Sequence, residues 1–123
     1  MLLRPSYSTS EKAIDNGVKQ SLAVVREAIE VFQAANGGRL PGSNGDEATF
    51  KAEISPYVRK FPVLPVGPTP AQNGAVLMSG DAGPPNGSIS PSEGWKYYYN
   101  SGDFIINLHK KLKSDNNLYY DEL

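Results

Sequence analysis

Cysteine is absent from this 123-residue chain. That removes disulfide staples, thiolate nucleophiles and cysteine-based metal sites together, and leaves the redox compartment open. Histidine occurs once, as His109 beside Lys110 and Lys111. A catalytic triad or a multi-histidine metal site needs partners that one imidazole does not supply, so the expectation here is a solvated residue and no enzymatic activity. An excess of charge of one sign is missing too: 12 basic and 13 acidic residues leave a net charge of -1. Polyanion binding draws on a surplus of Lys and Arg, so nucleic acid is not an expected partner. Long apolar runs are also lacking. Met1, Leu2 and Leu3 precede Arg4 and Pro5, far short of the roughly 7–15 apolar residues of a signal-peptide core. No stretch reaches the about 20 needed to span a membrane. The expectation is a chain with no export signal and no membrane span of its own. Its glycines do not sit between a strand and a helix in the order that a phosphate loop requires, and no cofactor is expected.

What is present is a dominant helical pattern. Residues 1–7, with Pro5 and no periodicity, read as an extended arm. Ser8 and Glu11 have capping-box spacing, and Asn36-Gly37-Gly38 supplies a stop, because both residue types tolerate the left-handed conformation that ends helices. A helix over 8–38 is predicted. At about 100° per position, Ile14, Val18, Leu22, Val25, Ile29 and Phe32 form one stripe, the expected core face. Gly17, Ser21, Val24, Ala28, Val31 and Ala35 form a second stripe of small or β-branched residues beside it. Lys12, Asp15, Lys19, Arg26, Glu30 and Gln33 fall on the opposite, solvated side. Together the two stripes cover about 180°, more than burial against a single layer requires. Either the helix sinks deeply into its own domain, or the small residues admit another helix. Gly17 costs roughly 1 kcal/mol relative to alanine in a helix interior.

From 39 to 93 the composition changes: nine of the ten prolines lie here. Asp46 is placed to cap a short helix over 47–54, with Phe50 and Ile54 on one side. The proline-spaced run 61–68 cannot be a central strand, since each proline removes a ladder donor. Its aliphatic residues read as anchors of a surface loop. Residues 75–78 are a candidate short strand, and 81–91 is turn chemistry, expected to be mobile. In 94–123 the period becomes two. Trp95, Tyr97 and Tyr99, then Phe104, Ile106 and Leu108 after a turn at Ser101-Gly102, make a hairpin with an apolar inner face. Leu118, Tyr119 and Tyr120 are read as a third strand. Asp115, Asn117 and Asp121 are a weak calcium candidate, since that ion takes six to eight oxygens; a capped turn explains the same residues. The expected fold is α+β in one domain, 1–123: a long N-terminal helix packed on a small antiparallel sheet, with a long Pro/Gly-rich loop region.

Gly94-Trp95-Lys96-Tyr97-Tyr98-Tyr99-Asn100, followed by Ser101-Gly102-Asp103-Phe104-Ile105-Ile106-Asn107, resembles the strand pair that closes the globular heads of type IV pilins and type II secretion pseudopilins. The helix segment from Asn16 to Phe32, with Gly38-Arg39-Leu40-Pro41 after it, is similar to the C-terminal half of their long helix. The likeness runs from about Ser10 to the end, with the proline-rich middle matching only in kind. Pilins begin with a leader and an apolar helical half, and this sequence shows neither. It therefore looks most like the separately encoded globular subunit of a split type IV pilin from metal-reducing bacteria; a shortened pseudopilin is the other reading. The resemblance implies a structural subunit of an extracellular filament. Its implied partners are a short apolar N-terminal pilin chain and further copies of itself, met through Leu2, Leu3, Tyr7, Ile14, Gly17, Val24, Ala28 and Val31. The rival is a soluble ligand- or protein-binding module using the 39–93 loop region.

Overall fold

The computed structural model describes residues 6–123, with side chains from Ser10 onward. The expected contributions of Leu2, Leu3 and the side chains of Tyr7 and Ser8 lie outside the described residues. Helix α1 spans Ser6–Ala35, about 45 Å at 1.5 Å per residue. Ser6 and Tyr7 are already helical and do not belong to an extended arm, and Ser8 lies within the helix. Its stop is built as the sequence suggests. Gly37 and Gly38 take positive φ of 65° and 92°, Gly38 N–H donates to the Gln33 carbonyl at 2.8 Å, and the Asn36 amide donates to the Phe32 carbonyl at 2.8 Å. These bonds satisfy the last carbonyls of the helix.

Helix α1 lies on a three-stranded sheet of order β1-β2-β3 (β1 Val76–Ser79, β2 Trp95–Tyr98, β3 Asp103–Ile106). The sheet is mixed, which corrects the antiparallel expectation. β2 and β3 form the predicted antiparallel hairpin, with Trp95 opposite Ile106 and Tyr97 opposite Phe104, but β1 runs parallel to β2, with Val76 opposite Trp95. The cause is the connection 80–94, which carries the chain back along the sheet before β2 starts. Parallel neighbours need such a long return, and an irregular one serves as well as a helix. The expected third strand at 118–120 is not formed either. A single bridge pairs Lys111 with Tyr119, and the chain then enters one turn of 3₁₀ helix, Tyr120–Glu122. In that turn Glu122 N–H donates to the Tyr119 carbonyl at 3.1 Å and Leu123 N–H to the Tyr120 carbonyl at 3.3 Å, so these groups are taken up locally and do not pair with a neighbouring strand.

The core fills the space between α1 and the inner face of the sheet. Val18, Leu22, Val25, Ile29 and Phe32 meet Trp95, Tyr97, Phe104, Ile106 and Leu108, and α2 (Glu47–Ile54) closes one side with Phe50 and Ile54. Phe50 stacks on Tyr97 at 4.2 Å between centroids, and Trp95 on Phe104 at 5.4 Å. The polar ends of the large rings are satisfied: Trp95 Nε1 donates to the Pro62 carbonyl at 2.9 Å and Tyr97 Oη to the Pro41 carbonyl at 2.8 Å. Burial pushes the Tyr97 hydroxyl well above the usual phenol range, with Glu53 adding to the effect. Asp46 caps α2 as predicted, accepting from Thr49 N–H at 3.0 Å. In the run 61–68, Leu64 and Val66 are buried while Val63 and Pro65 are exposed, so prolines space the anchors of an irregular segment.

The second face of the sheet is covered as well. Tyr98, Ile105 and Asn107 are buried, although alternation alone placed them outward. The turn-rich segment 84–93 straps across them, held to Tyr98 Oη through the Asn86 backbone and to the Asn107 amide through the Glu93 carbonyl.

Candidate assembly face

Helix α1 divides its surface differently from the three stripes expected. Val18, Leu22, Val25, Ile29 and Phe32 are buried, but Ile14, assigned to the core, is 38% exposed. The core begins one turn later, at Val18, and between Ser10 and Gly17 only Asp15 is buried. On the second stripe, Val24 and Val31 are 48% and 41% exposed and Gly17 and Ala35 are open to solvent. Ala28 is 2% exposed and already packed within the domain, so it cannot offer contact area to a partner. The remaining outward apolar residues are Ile14, Val24 and Val31. Gly17 lies among them, and a methyl group added there would meet nothing within 4 Å.

The polar side of α1 departs furthest from expectation. Asp15 is 1% exposed. Its carboxylate accepts from Tyr120 Oη at 2.7 Å, from Ser114 N–H at 2.9 Å and from Ser114 Oγ. Burial alone raises its pKa, yet the bonds from Ser114 and Tyr120, helped by Lys19, outweigh that and leave it below the ordinary carboxylate value. Burial and the same carboxylate push the Tyr120 hydroxyl upward. Arg26 is also tied down. Its Nε donates to the Phe104 carbonyl at 3.0 Å and its Nη2 to the Leu123 carbonyl at 2.7 Å, so the guanidinium joins α1 to β3 and to the C-terminal residue. Burial lowers its pKa, opposed by the charge of Asp103. Beside it, Leu22, Ala23, Glu27 and Leu123 line a groove of about 640 Å³. Sequence reasoning missed both clamps, because a charged residue on the far side of a helix reads as solvated until a distant segment is known to reach it.

His109 is exposed as expected, but it is not isolated. Its Nδ1 lies 3.0 Å from the carboxylate of buried Asp121, and its ring stacks on Tyr119 at 4.5 Å. Asp121 also accepts from Gly87 N–H at 2.8 Å. The carboxylate therefore fastens the strap and orients the imidazole. Of the weak calcium set, Asp115 accepts from Asn117 N–H at 3.0 Å within its own turn, while Asp121 is committed to Gly87 and His109. Among the described residues no group of three or more His, Cys, Asp or Glu could hold a metal ion. A second groove, of about 610 Å³, runs beside the proline run and includes Pro68, Pro70, Pro91 and Leu108, with Ile89, 80% exposed, on its rim. Among the described residues no helix is long and apolar enough to cross a membrane. No protein-family model, curated protein or solved structure matches this chain.

Proposed function

We propose that this chain is a structural subunit of an extracellular type IV pilus or pseudopilus filament, without enzymatic activity. In this reading it is the globular head that pairs with a short apolar N-terminal pilin chain and with further copies of itself. One observation carries the reading. Gly17 sits inside a 30-residue helix with open space where its side chain would be, so nothing within the head compensates its cost of roughly 1 kcal/mol. Close approach by another helix is a physical reason for a glycine there, and exposed Ile14, Val24 and Val31 border it. Burying such side chains returns roughly 25 cal/mol per Å² before association costs are subtracted. Helix-on-sheet packing closed by the aromatic hairpin supports the same reading. Export by way of the apolar partner, and a place at the cell surface, belong to the proposal.

Co-purification from the producing cells, followed by imaging, tests it. Filaments containing this chain together with a short apolar partner are expected. Recovery only as a monomer, with neither filaments nor such a partner, would overturn the proposal. The groove beside Ile89 favours a second reading, a binding module using 39–93, and that reading predicts monomer.

A further inference from the structure

The strap over the second sheet face carries a feature that the assembly proposal does not use. Asn86-Gly87-Ser88 is the single Asn-x-Ser/Thr triplet in the sequence, the spacing that an N-linked glycan acceptor requires when the middle residue is not proline. The fold fixes this triplet by its backbone. Asn86 N–H donates to Tyr98 Oη at 2.9 Å, and the Asn86 carbonyl accepts from Tyr98 Oη and from Lys96 Nζ, each at 3.1 Å. Gly87 N–H donates to Asp121, and the Ser88 carbonyl accepts from His109 N–H at 2.9 Å. The amides of Asn36, Asn44, Asn73, Asn100 and Asn107 donate within the head, whereas among the described residues exposed Asn86 is bonded through its backbone alone. The carboxamide of Asn86 therefore makes no hydrogen bond among the described residues and stands at an exposed position whose backbone is fastened to Tyr98 and Lys96.

We infer that Asn86 is a glycan attachment site. A bond forms between Asn86 Nδ2 and the anomeric carbon of a sugar carried as a glycosyl pyrophosphate. The anomeric carbon–oxygen bond breaks, the pyrophosphate leaves with the electron pair, and the amide proton passes to a base of the glycosyltransferase. Transfer precedes closure of the strap, because an enzyme gripping Asn86 and Ser88 needs the backbone that Tyr98, Asp121 and His109 hold in the folded head. The inference rests on the extracellular placement proposed above.

The test is peptide mass spectrometry over residues 84–92 on protein from its own producing cells, with the same preparation imaged for filaments. The expected result is a hexose- or hexosamine-containing increment on Asn86 that is lost in Asn86→Gln and Ser88→Ala and kept in Ser88→Thr. Asn86→Gln leaves every backbone bond of the strap in place, so its loss of sugar is not a loss of folding. An unmodified Asn86, the small mass gain of deamidation, or sugar on the serines alone would overturn the inference. Filaments with unmodified Asn86 would sink the glycan and leave the filament reading intact; glycosylated monomer without filaments would do the reverse.

Discussion

Removing the Asp15 carboxylate should unfasten the C-terminal segment from α1. Asp15 receives three hydrogen bonds from residues about a hundred positions away, and hydrogen bonds to charged groups contribute about 1.5–3 kcal/mol each. The Ser114 donors are half-buried and regain water when the carboxylate is lost, whereas Tyr120 Oη stays buried, so the expected cost of Asp15→Ala is about 3 kcal/mol rather than the full sum. For a chain of this size that is a fall in Tm on the order of 12 °C. Asp15→Asn keeps the shape but turns an amide N–H₂ toward donors, and should cost about 2 kcal/mol. Because the folded-state pKa is lowered, the contribution is complete above the ordinary carboxylate value of about 3.9 and is lost as pH falls through the lower folded-state value. Urea unfolding of the native chain and Asp15→Asn across an acid series reads this directly: a constant gap near neutrality that closes below about pH 4. A gap under about 0.5 kcal/mol at neutral pH, or one unchanged down to about pH 2, would refute the reasoning.

Gly17→Ala should stabilise the isolated head by about 0.5–1 kcal/mol, since its side chain meets open space and alanine is the better helix former; if a partner helix packs there, the same variant should weaken filament assembly. Val24→Glu and Val31→Glu, at exposed positions, should change the unfolding free energy read by urea titration by less than about 0.5 kcal/mol while blocking filaments, and normal assembly would remove that stripe as an interface. Tyr97→Phe deletes a buried bond to the Pro41 carbonyl and should cost about 1–2 kcal/mol by thermal unfolding. Gly94→Ala places a methyl group 2.5 Å from the Asn73 carbonyl and 2.8 Å from Leu64 Cβ, so circular dichroism should show a Tm lowered by an equivalent of about 1–3 kcal/mol from overpacking.

Elements with their own local period were legible. The core stripe from Val18 to Phe32, the Trp95–Ile106 hairpin with its Ser101-Gly102 turn, the Asp46 cap and the Gly37-Gly38 stop each follow from spacing within a dozen or so residues. The strand at Val76–Ser79 was readable as a candidate, but its parallel pairing was not, because the direction of a strand depends on the path of the chain outside it. The burial of Tyr98, Ile105 and Asn107 was hidden for a related reason. A two-residue alternation marks which side chains share a face and says nothing of whether a loop covers that face. The strap 84–93, composed of turn residues, gave no sign of what it would lie on, and its backbone is held where mobility was expected. The candidate face on α1 was partly legible: Val24 and Val31 are exposed, while Ala28 is taken into the core.

Local periodicity and punctuation therefore determined the long helix, its apolar core face, the aromatic hairpin and the α+β class, because each rests on steric and hydrophobic preferences of neighbouring residues. Tertiary structure alone decided the mixed order of the sheet, the strap on its second face, the clamp of Asp15 on Ser114 and Tyr120, the capture of Arg26 by Phe104 and Leu123, and the pairing of His109 with Asp121. Those contacts join segments far apart in the chain, and a polar side chain carries no mark of the partner it will meet until the hydrophobic core has brought the two together.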